Sequence, residues 1–149
     1  MNIVIREMKE SDLDYIMEIE KNAFTPPWSR EAFLLELSKN LLAKYILAEV
    51  DGEIAGYGGI WLIIDEGHIT NIAVDERYRG IGVGSKILEG LIQLCVDRNV
   101  VAMTLEVRRS NEIAKSLYKK YGFKEYGVRE KYYHNNNEDA IIMWKNIEF

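Results

Sequence analysis

Apolar and polar positions change period along the chain, and the changes mark its elements. Ile3-Val4-Ile5 is a short apolar run followed by charges, which predicts a first strand. Leu13, Ile16, Met17, Glu20 and Phe24 follow at mostly helical spacing, behind a capping-box-like pair, Ser11 and Asp14, with Asp in place of the usual Glu. Thr25-Pro26-Pro27 stops that helix, because proline lacks a donor and restrains the residue before it. Ser29 caps a second helix carrying Phe33, Leu34 and Leu37, with Trp28 at N′ and Phe33 at N4 spaced as a hydrophobic staple. Residues 45–50 and 53–64 read as a hairpin closed by Asp51-Gly52, a pair suited to two positive φ angles. Asp65-Glu66-Gly67 predicts a second turn and residues 68–74 a further strand. These consecutive strands have short connections and are therefore antiparallel. Beyond a segment rich in Gly and Arg, residues 75–84, Ile87, Leu88, Leu91, Ile92 and Cys95 line one face of a helix ending near Asn99. Residues 100–107 are β-branched and apolar. Asn111 opens another helix with Ala114, Leu117, Tyr118 and Tyr121 on one face and Gly122 at C′. Residues 123–133 and 140–147 are the closing strands, joined by a polar stretch.

The order β-α-α-β-β-β-α-β-α-β-β predicts a mixed α/β (α+β) sheet of about seven strands, mostly antiparallel, flanked by about four helices. With 149 residues and no linker, repeat or low-complexity segment, one domain over residues 1–149 is expected. Charge narrows the function classes. Nineteen Lys and Arg against 24 Asp and Glu give a net charge of -5, which argues against a general nucleic-acid binder but leaves room for a local anion site. Cys95 is the only cysteine and His68 and His134 the only histidines, so disulfide, CxxC and zinc chemistry are not expected. The first residues lack a signal-peptide layout and no apolar run is long enough for a bilayer, so a cytoplasmic protein without a membrane partner is expected.

The first chemical signal is Arg77-Tyr78-Arg79-Gly80-Ile81-Gly82-Val83-Gly84-Ser85-Lys86, between a strand and a helix. Glycines let a ligand approach the backbone, and amides at a helix start point at phosphate oxygens. Arg79, and Arg77 beside it, can add charge-assisted bonds. A Walker A loop needs Gly directly before Lys-Ser/Thr, which is not met here. A Rossmann loop follows the first strand of a parallel unit and ends on a third glycine, where this chain has Ser85.

Asn71-Ile72-Ala73-Val74, then Arg79-x-x-Gly82-x-Gly84, then a helix, resembles the acetyl-CoA site of the GNAT N-acetyltransferases. Asn111, Ala114, Leu117, Tyr118, Gly122 and Phe123 match a second pattern of that family, N-x-x-A-x-x-L-Y-x-x-x-G-F. Phe24-Thr25-Pro26-Pro27-Trp28-Ser29, Leu105-Glu106-Val107-Arg108, Tyr132-Tyr133 and Glu138-Asp139-Ala140-Ile141-Ile142-Met143 further resemble the RimI-type ribosomal-protein alanine N-acetyltransferases. The resemblance covers essentially the whole chain. It implies the GNAT fold, acetyl-CoA as co-substrate without a metal, and acetyl transfer to a protein N-terminal α-amine. The N-terminal alanine of the small-subunit ribosomal protein bS18 is the implied acceptor. The alternatives are another N-terminus, a lysine or a small amine as acceptor, or a non-catalytic acetyl-CoA-binding module. Oligomeric state is not implied.

The resemblance also implies roles for particular residues. Main-chain groups of Ile72, Ala73 and Val74 hold the acetyl-pantetheine arm as a pseudo-strand and face the thioester oxygen. As plain strand residues, Ile72 and Val74 alternate as buried side chains, a reading that holds beside the main-chain role because backbone and side chains do different jobs. Arg79, Gly80, Ile81, Gly82, Val83 and Gly84 take the pyrophosphate. Glu106, a carboxylate in an apolar strand, is the base, against a reading as a solvent-facing strand residue. Tyr118 is the acid, its phenol protonated at neutral pH, against a core-facing aromatic. Asn111 binds acetyl-CoA through its amide, against a simple N-cap. Pro27, Trp28, Tyr132 and Tyr133 line the acceptor groove, while the staple gives Trp28 a structural alternative. Cys95, at helical spacing with Leu88, Leu91 and Ile92, reads as a small buried hydrophobe, so transfer without an acyl-enzyme is preferred.

Overall fold

A computed structural model describes residues 2–23, 27–133 and 135–147. The elements run β1 (Ile3–Glu7), α1 (Leu13–Ala23), α2 (Arg30–Ser38), β2 (Ala43–Val50), β3 (Glu53–Ile63), β4 (Glu66–Val74), α3 (Val83–Asp97), β5 (Ala102–Arg108), α4 (Glu112–Lys120), β6 (Lys124–Tyr133) and β7 (Glu138–Asn146). Among the described residues, seven strands in a mixed, mostly antiparallel arrangement and four α-helices match the architecture read from the sequence. The chain divides into two compact units, Met1–Trp61 with Thr70–Leu94, and Leu62–Ile69 with Cys95–Phe149. No helix among the described residues is long and apolar enough to cross a membrane.

In the first unit β1 and β3 flank β2, both antiparallel to it, with a register shift at Ala48/Glu49. Asp51 and Gly52 close the β2–β3 hairpin at φ 49° and 89°, the two left-handed angles that a tight two-residue turn needs. Side-chain parity then assigns the faces. Tyr45, Leu47, Tyr57 and Ala73 form one buried cluster with Leu13, Ile16 and Ile19 of α1 and Phe33 of α2. The alternate residues face α3. A Cβ on Gly58 would meet Ile87, Leu91 and Ile72, and one on Gly90 would meet Ile46 and Ile5. Each large apolar side chain removed from water contributes about 1.5–3 kcal/mol, so these two faces dominate the stability of the unit.

This parity corrects one expectation. Ala73 is the buried residue of its stretch, while Ile72 and Val74 are only half-buried. The small residue faces the α1/α2 cluster, and Ile72 faces α3. Two local signals also shift. The capping pair is Lys9 and Asp12 rather than Ser11 and Asp14. Asp12 accepts the Lys9 amide at 2.8 Å, because a bidentate pair with Arg6, both bonds at 2.9 Å, already fixes its carboxylate there. The second turn is Ile64-Asp65, with Ile64 at φ 56°, since Glu66 and Gly67 are taken up by pairing with Ala102 and Met103. Most of the Thr25-Pro26-Pro27 stop lies outside the described residues; α1 ends at Ala23. The staple is present, with the Trp28 and Phe33 rings 5.2 Å apart and Ser29 capping α2 through the Ala32 amide.

In the second unit β4 pairs with β5 in parallel over Glu66–His68 and Ala102–Thr104. β7 lies antiparallel between β5 and β6. Met103, Leu105, Val107, Tyr118, Phe123, Ile141 and Met143 are buried. Asn111 caps α4 through the Ala114 amide, and Gly122 ends it at φ 94°, the left-handed C′ position. His68 is structural among these residues, edge-on to Trp144 at 6.3 Å and 3.5 Å from Glu66.

The close approach in the first unit is testable. A Cβ on Gly56 would lie 2.7 Å from the Ala73 carbonyl oxygen and 3.0 Å from Ile87 Cδ1. Gly56→Ala is expected to cost about 1–3 kcal/mol in urea unfolding, since backbone must yield. Gly127→Ala, whose Cβ would meet only Ile142 at 3.7 Å, should stay within about 0.5 kcal/mol.

Candidate active site

Within the first unit β4 runs directly into the glycine-rich loop. The Asp75 amide donates to the Ala55 carbonyl at 2.8 Å, which ties the loop's start to β3. The Asp75 carboxylate accepts the Arg77 amide at 2.9 Å and its guanidinium at 3.1 Å, and Arg77 holds that carboxyl below its ordinary range. Arg77, which also lies 5.4 Å over the Tyr78 ring, is therefore engaged with the loop itself. Arg79 is exposed, its Nε donating to the Val74 carbonyl at 3.3 Å.

Gly80 and Gly82 stand at φ 81° and 93°, and no atom lies within 4 Å of where a Cβ would sit on either. Glycine is needed there for the backbone angle, and the space above the loop is open. Val83 is buried and starts α3, so Gly82 delivers the chain straight into a helix N-terminus with its unpaired amides. A pocket of about 280 Å³ adjoins this loop, lined by Ile19, Asn22, Val74, Asp75, Glu76, Arg77 and Arg79. The arrangement suits an anionic ligand laid along the end of β4.

A buried polar chain backs the same unit. Glu20 is 1% exposed. It accepts the Trp28 amide at 2.8 Å and the Tyr57 phenol. Asn71 donates to the Tyr57 oxygen at 3.1 Å. Burial raises the Glu20 carboxyl above its ordinary value, with the two donors opposing that rise.

The second unit carries the titratable pair. Glu106 lies between buried Leu105 and Val107 on β5, its side chain 31% exposed, and pairs with Arg129 Nε of β6 at 3.2 Å. Tyr118 is buried on α4, edge-on to Phe123 at 5.8 Å. Burial, with a smaller contribution from Tyr133, raises its phenol well above the ordinary value and keeps it protonated. Tyr132 and Tyr133 stack edge to face at 5.1 Å, and Arg108 lies 4.0 Å over the Tyr133 ring. Cys95 is fully buried and its thiol is pushed up to about 11 by desolvation, so no thiolate is available for acyl transfer. Among the described residues no group of His, Cys, Asp and Glu could hold a metal.

Residues 13–123 match the acetyltransferase (GNAT) family. The chain belongs to that family. It is 43% identical, over 96% of its own length and 95% of the relative's, to a Bacillus subtilis protein provisionally named a ribosomal protein bS18-alanine N-acetyltransferase. An Escherichia coli protein named as that enzyme is 36% identical over 93% of this chain and 94% of its own. The crystal structure of the Escherichia coli ribosomal-protein-S18-alanine N-acetyltransferase superposes with a TM-score of 0.90 at 33% identity, covering 99% of this chain and 96% of that one.

Sequence reasoning missed three supporting groups. Arg129 carries no sequence signal of its own, because its contact with Glu106 depends on strand register. Glu138 accepts the Ser110 amide at 2.7 Å and Arg108 Nη1 at 3.3 Å, fixing the turn that leads to Asn111. Both residues stand in motifs visible in the sequence, without any local sign that they meet. The Glu20–Tyr57 contact joins residues 37 apart.

Glu138 makes a pH-dependent prediction. Its bonds from the Ser110 hydroxyl and amide hold its carboxyl at about 2, below the ordinary 4.5. The folded state thus prefers the carboxylate, and that stabilisation is present above about pH 4.5 and lost as pH falls toward 2. Thermal unfolding of Glu138→Gln should therefore show a shallower loss of stability across that window than the parent protein.

Proposed function

We propose that this chain transfers the acetyl group of acetyl-CoA to the N-terminal α-amine of a protein, with the N-terminal alanine of ribosomal protein bS18 as acceptor. The observation that carries the acceptor is the likeness to relatives so named over nearly the whole of both chains, at 43% and 36% identity. The geometry of each unit supports a separate part of the chemistry, and the two work as one acetyltransferase domain over residues 1–149. A protein made to meet newly built ribosomal proteins works in the cytoplasm.

In this reading the donor is held by the first unit. Main-chain groups of Ile72, Ala73 and Val74 pair with the acetyl-pantetheine arm and face the thioester oxygen, where a backbone amide stabilises developing negative charge. Amides from Gly80 to Gly84, with Ile81 and Val83 between the glycines, take the pyrophosphate at the start of α3, and Arg79 adds charge. The second unit supplies the proton chemistry. The α-amine nitrogen attacks the thioester carbonyl, its proton passes to Glu106, the C–S bond breaks, and the departing thiolate takes a proton from Tyr118. Asn111, whose oxygen caps α4, offers its amide nitrogen to the donor. Pro27 and Trp28, with Tyr132 and Tyr133, guide the acceptor chain.

Acceptor choice has a physical component. An α-amine titrates near 8 and a lysine near 10.4, so at neutral pH the neutral fraction of the α-amine is roughly 250-fold larger. A single carboxylate base faces a far smaller proton burden with the first.

Incubation with acetyl-CoA and two peptides tests the reading by mass spectrometry. A peptide with a free N-terminal alanine should be acetylated, and one with a blocked N-terminus and an internal lysine should not. Acetylation of the blocked peptide alone overturns the reading, and tight acetyl-CoA binding without transfer to either favours a binding module. Glu106→Gln and Tyr118→Phe should each lower kcat by about 10²–10⁴-fold with acetyl-CoA affinity nearly unchanged. Parent-like rates in both variants would refute the assigned roles.

A further inference from the structure

Glu20 takes no part in the donor cradle or in proton transfer, yet it is a carboxylate buried to 1% exposure. Burying such a group is unfavourable unless its oxygens are bonded, and an apolar side chain of similar size would fill the same space more cheaply. What an ionised carboxylate offers is two acceptor oxygens and no hydrogen of its own. Glu20 uses each oxygen on a different element. One takes the Trp28 amide at 2.8 Å, and the other takes the Tyr57 phenol of β3. The chain continues from Tyr57 to Asn71 Nδ2 at 3.1 Å, and from Asn71 Oδ1 to the Thr70 hydroxyl at 3.0 Å. Asn71 directly precedes Ile72, Ala73 and Val74. All of these groups belong to the first unit.

We propose that Glu20 is a positioning residue for the acceptor: it fixes the Pro27-Trp28 backbone to β3 and, through Tyr57 and Asn71, to the start of the donor strand. This rests on the reading of Trp28 as an acceptor contact. A glutamine at the same place presents one acceptor and one donor. It can keep Tyr57 or the Trp28 amide, and the other meets an N–H where it needs an oxygen. Trp28 is half-buried beside exposed Pro27 and so yields more readily than fully buried Tyr57, and release falls on the acceptor side.

Steady-state kinetics of Glu20→Gln, Tyr57→Phe and Trp28→Ala, with the alanine peptide and acetyl-CoA varied in turn, tests this. Glu20→Gln is expected to lower kcat/KM for the peptide tenfold or more, mainly through KM, with KM for acetyl-CoA within twofold. Trp28→Ala should show the same split. Tyr57→Phe keeps the Glu20–Trp28 bond, removes the other anchor, and should lower the peptide kcat/KM at least threefold, so the inference stays open to refutation if Glu20→Gln does not fold. Equal losses toward both substrates that track a fall in folded fraction would overturn the positioning role. So would a parent-like peptide KM in Glu20→Gln beside an impaired Trp28→Ala. A parent-like Trp28→Ala overturns the acceptor reading of that loop and the inference with it. Failure of the N-terminal acetylation reading would show in the parent protein, and failure of the Glu20 role in the variants alone.

Discussion

The approach of α3 to β3 sets the positions that the proposed donor cradle needs. Gly56 and Gly58 put two bare backbone positions under the helix, where a Cβ would lie 2.7 Å from the Ala73 carbonyl oxygen and 2.6 Å from Ile87. Ile87 and Leu91 occupy the space that side chains there would take. With α3 seated on those glycines, Val83 is buried at its first turn. The chain must then climb from Val74 to Val83 within a few residues, and Gly80 and Gly82 supply the left-handed angles for that climb. The amides at the start of the helix are thus placed by packing a turn or more away. The loop answers to the core beneath it as much as to any ligand.

The opposite face of the same strands follows a different logic. There the α1/α2 cluster is apolar except where Tyr57 and Tyr45 bring hydroxyls into it, and each hydroxyl meets a glutamate. Tyr57 donates to Glu20, and Tyr45 donates to Glu36 at 2.9 Å, which also accepts Trp61 Nε1 at 2.8 Å. Aromatic residues fill volume on this face, and their polar ends require acceptors once water is excluded. One glutamate from each of two helices, Glu20 of α1 and Glu36 of α2, satisfies that requirement and orients its helix by doing so. Polar pairing there specifies where the helices lie, while burial of Phe33, Leu13 and Ile16 stabilises them.

Element order, the hairpin at Asp51-Gly52, the staple and both family motifs were legible in the sequence, because each depends on residues within a few positions of one another. What could not be read depends on pairing across the sheet. Ile72 and Val74 looked like the buried set, since an apolar alternation does not say which face is more deeply covered; Ala73 proved to be the buried residue because the larger cluster lies on its side. The Asp12 cap moved because Arg6, six residues away on another element, claimed the carboxylate. Glu106 and Arg129 meet because Glu106 and Gly127 both pair with Ile142, with Arg129 one pleat further along. That register emerges only once β7 is seen between β5 and β6.

The two titratable side chains are kept in contrasting environments, and the contrast matches their proposed tasks. Tyr118 is buried, and desolvation makes its phenol hold its proton more tightly. By itself that makes it a poor donor to an ordinary thiolate. Burial acts on thiols in the same direction, as Cys95 shows at about 11, so a thiolate leaving in a dry site is also a stronger base. The proton then moves between two groups whose affinities have risen together. Glu106 is partly open to water and paired with an exposed arginine at 3.2 Å. Such exposed pairs contribute about 0–1 kcal/mol. In the proposed reaction an arriving ammonium can therefore replace Arg129 at little cost. In the proposed roles, a base that must change partners belongs near solvent, and an acid that must keep its proton until the last step belongs away from it.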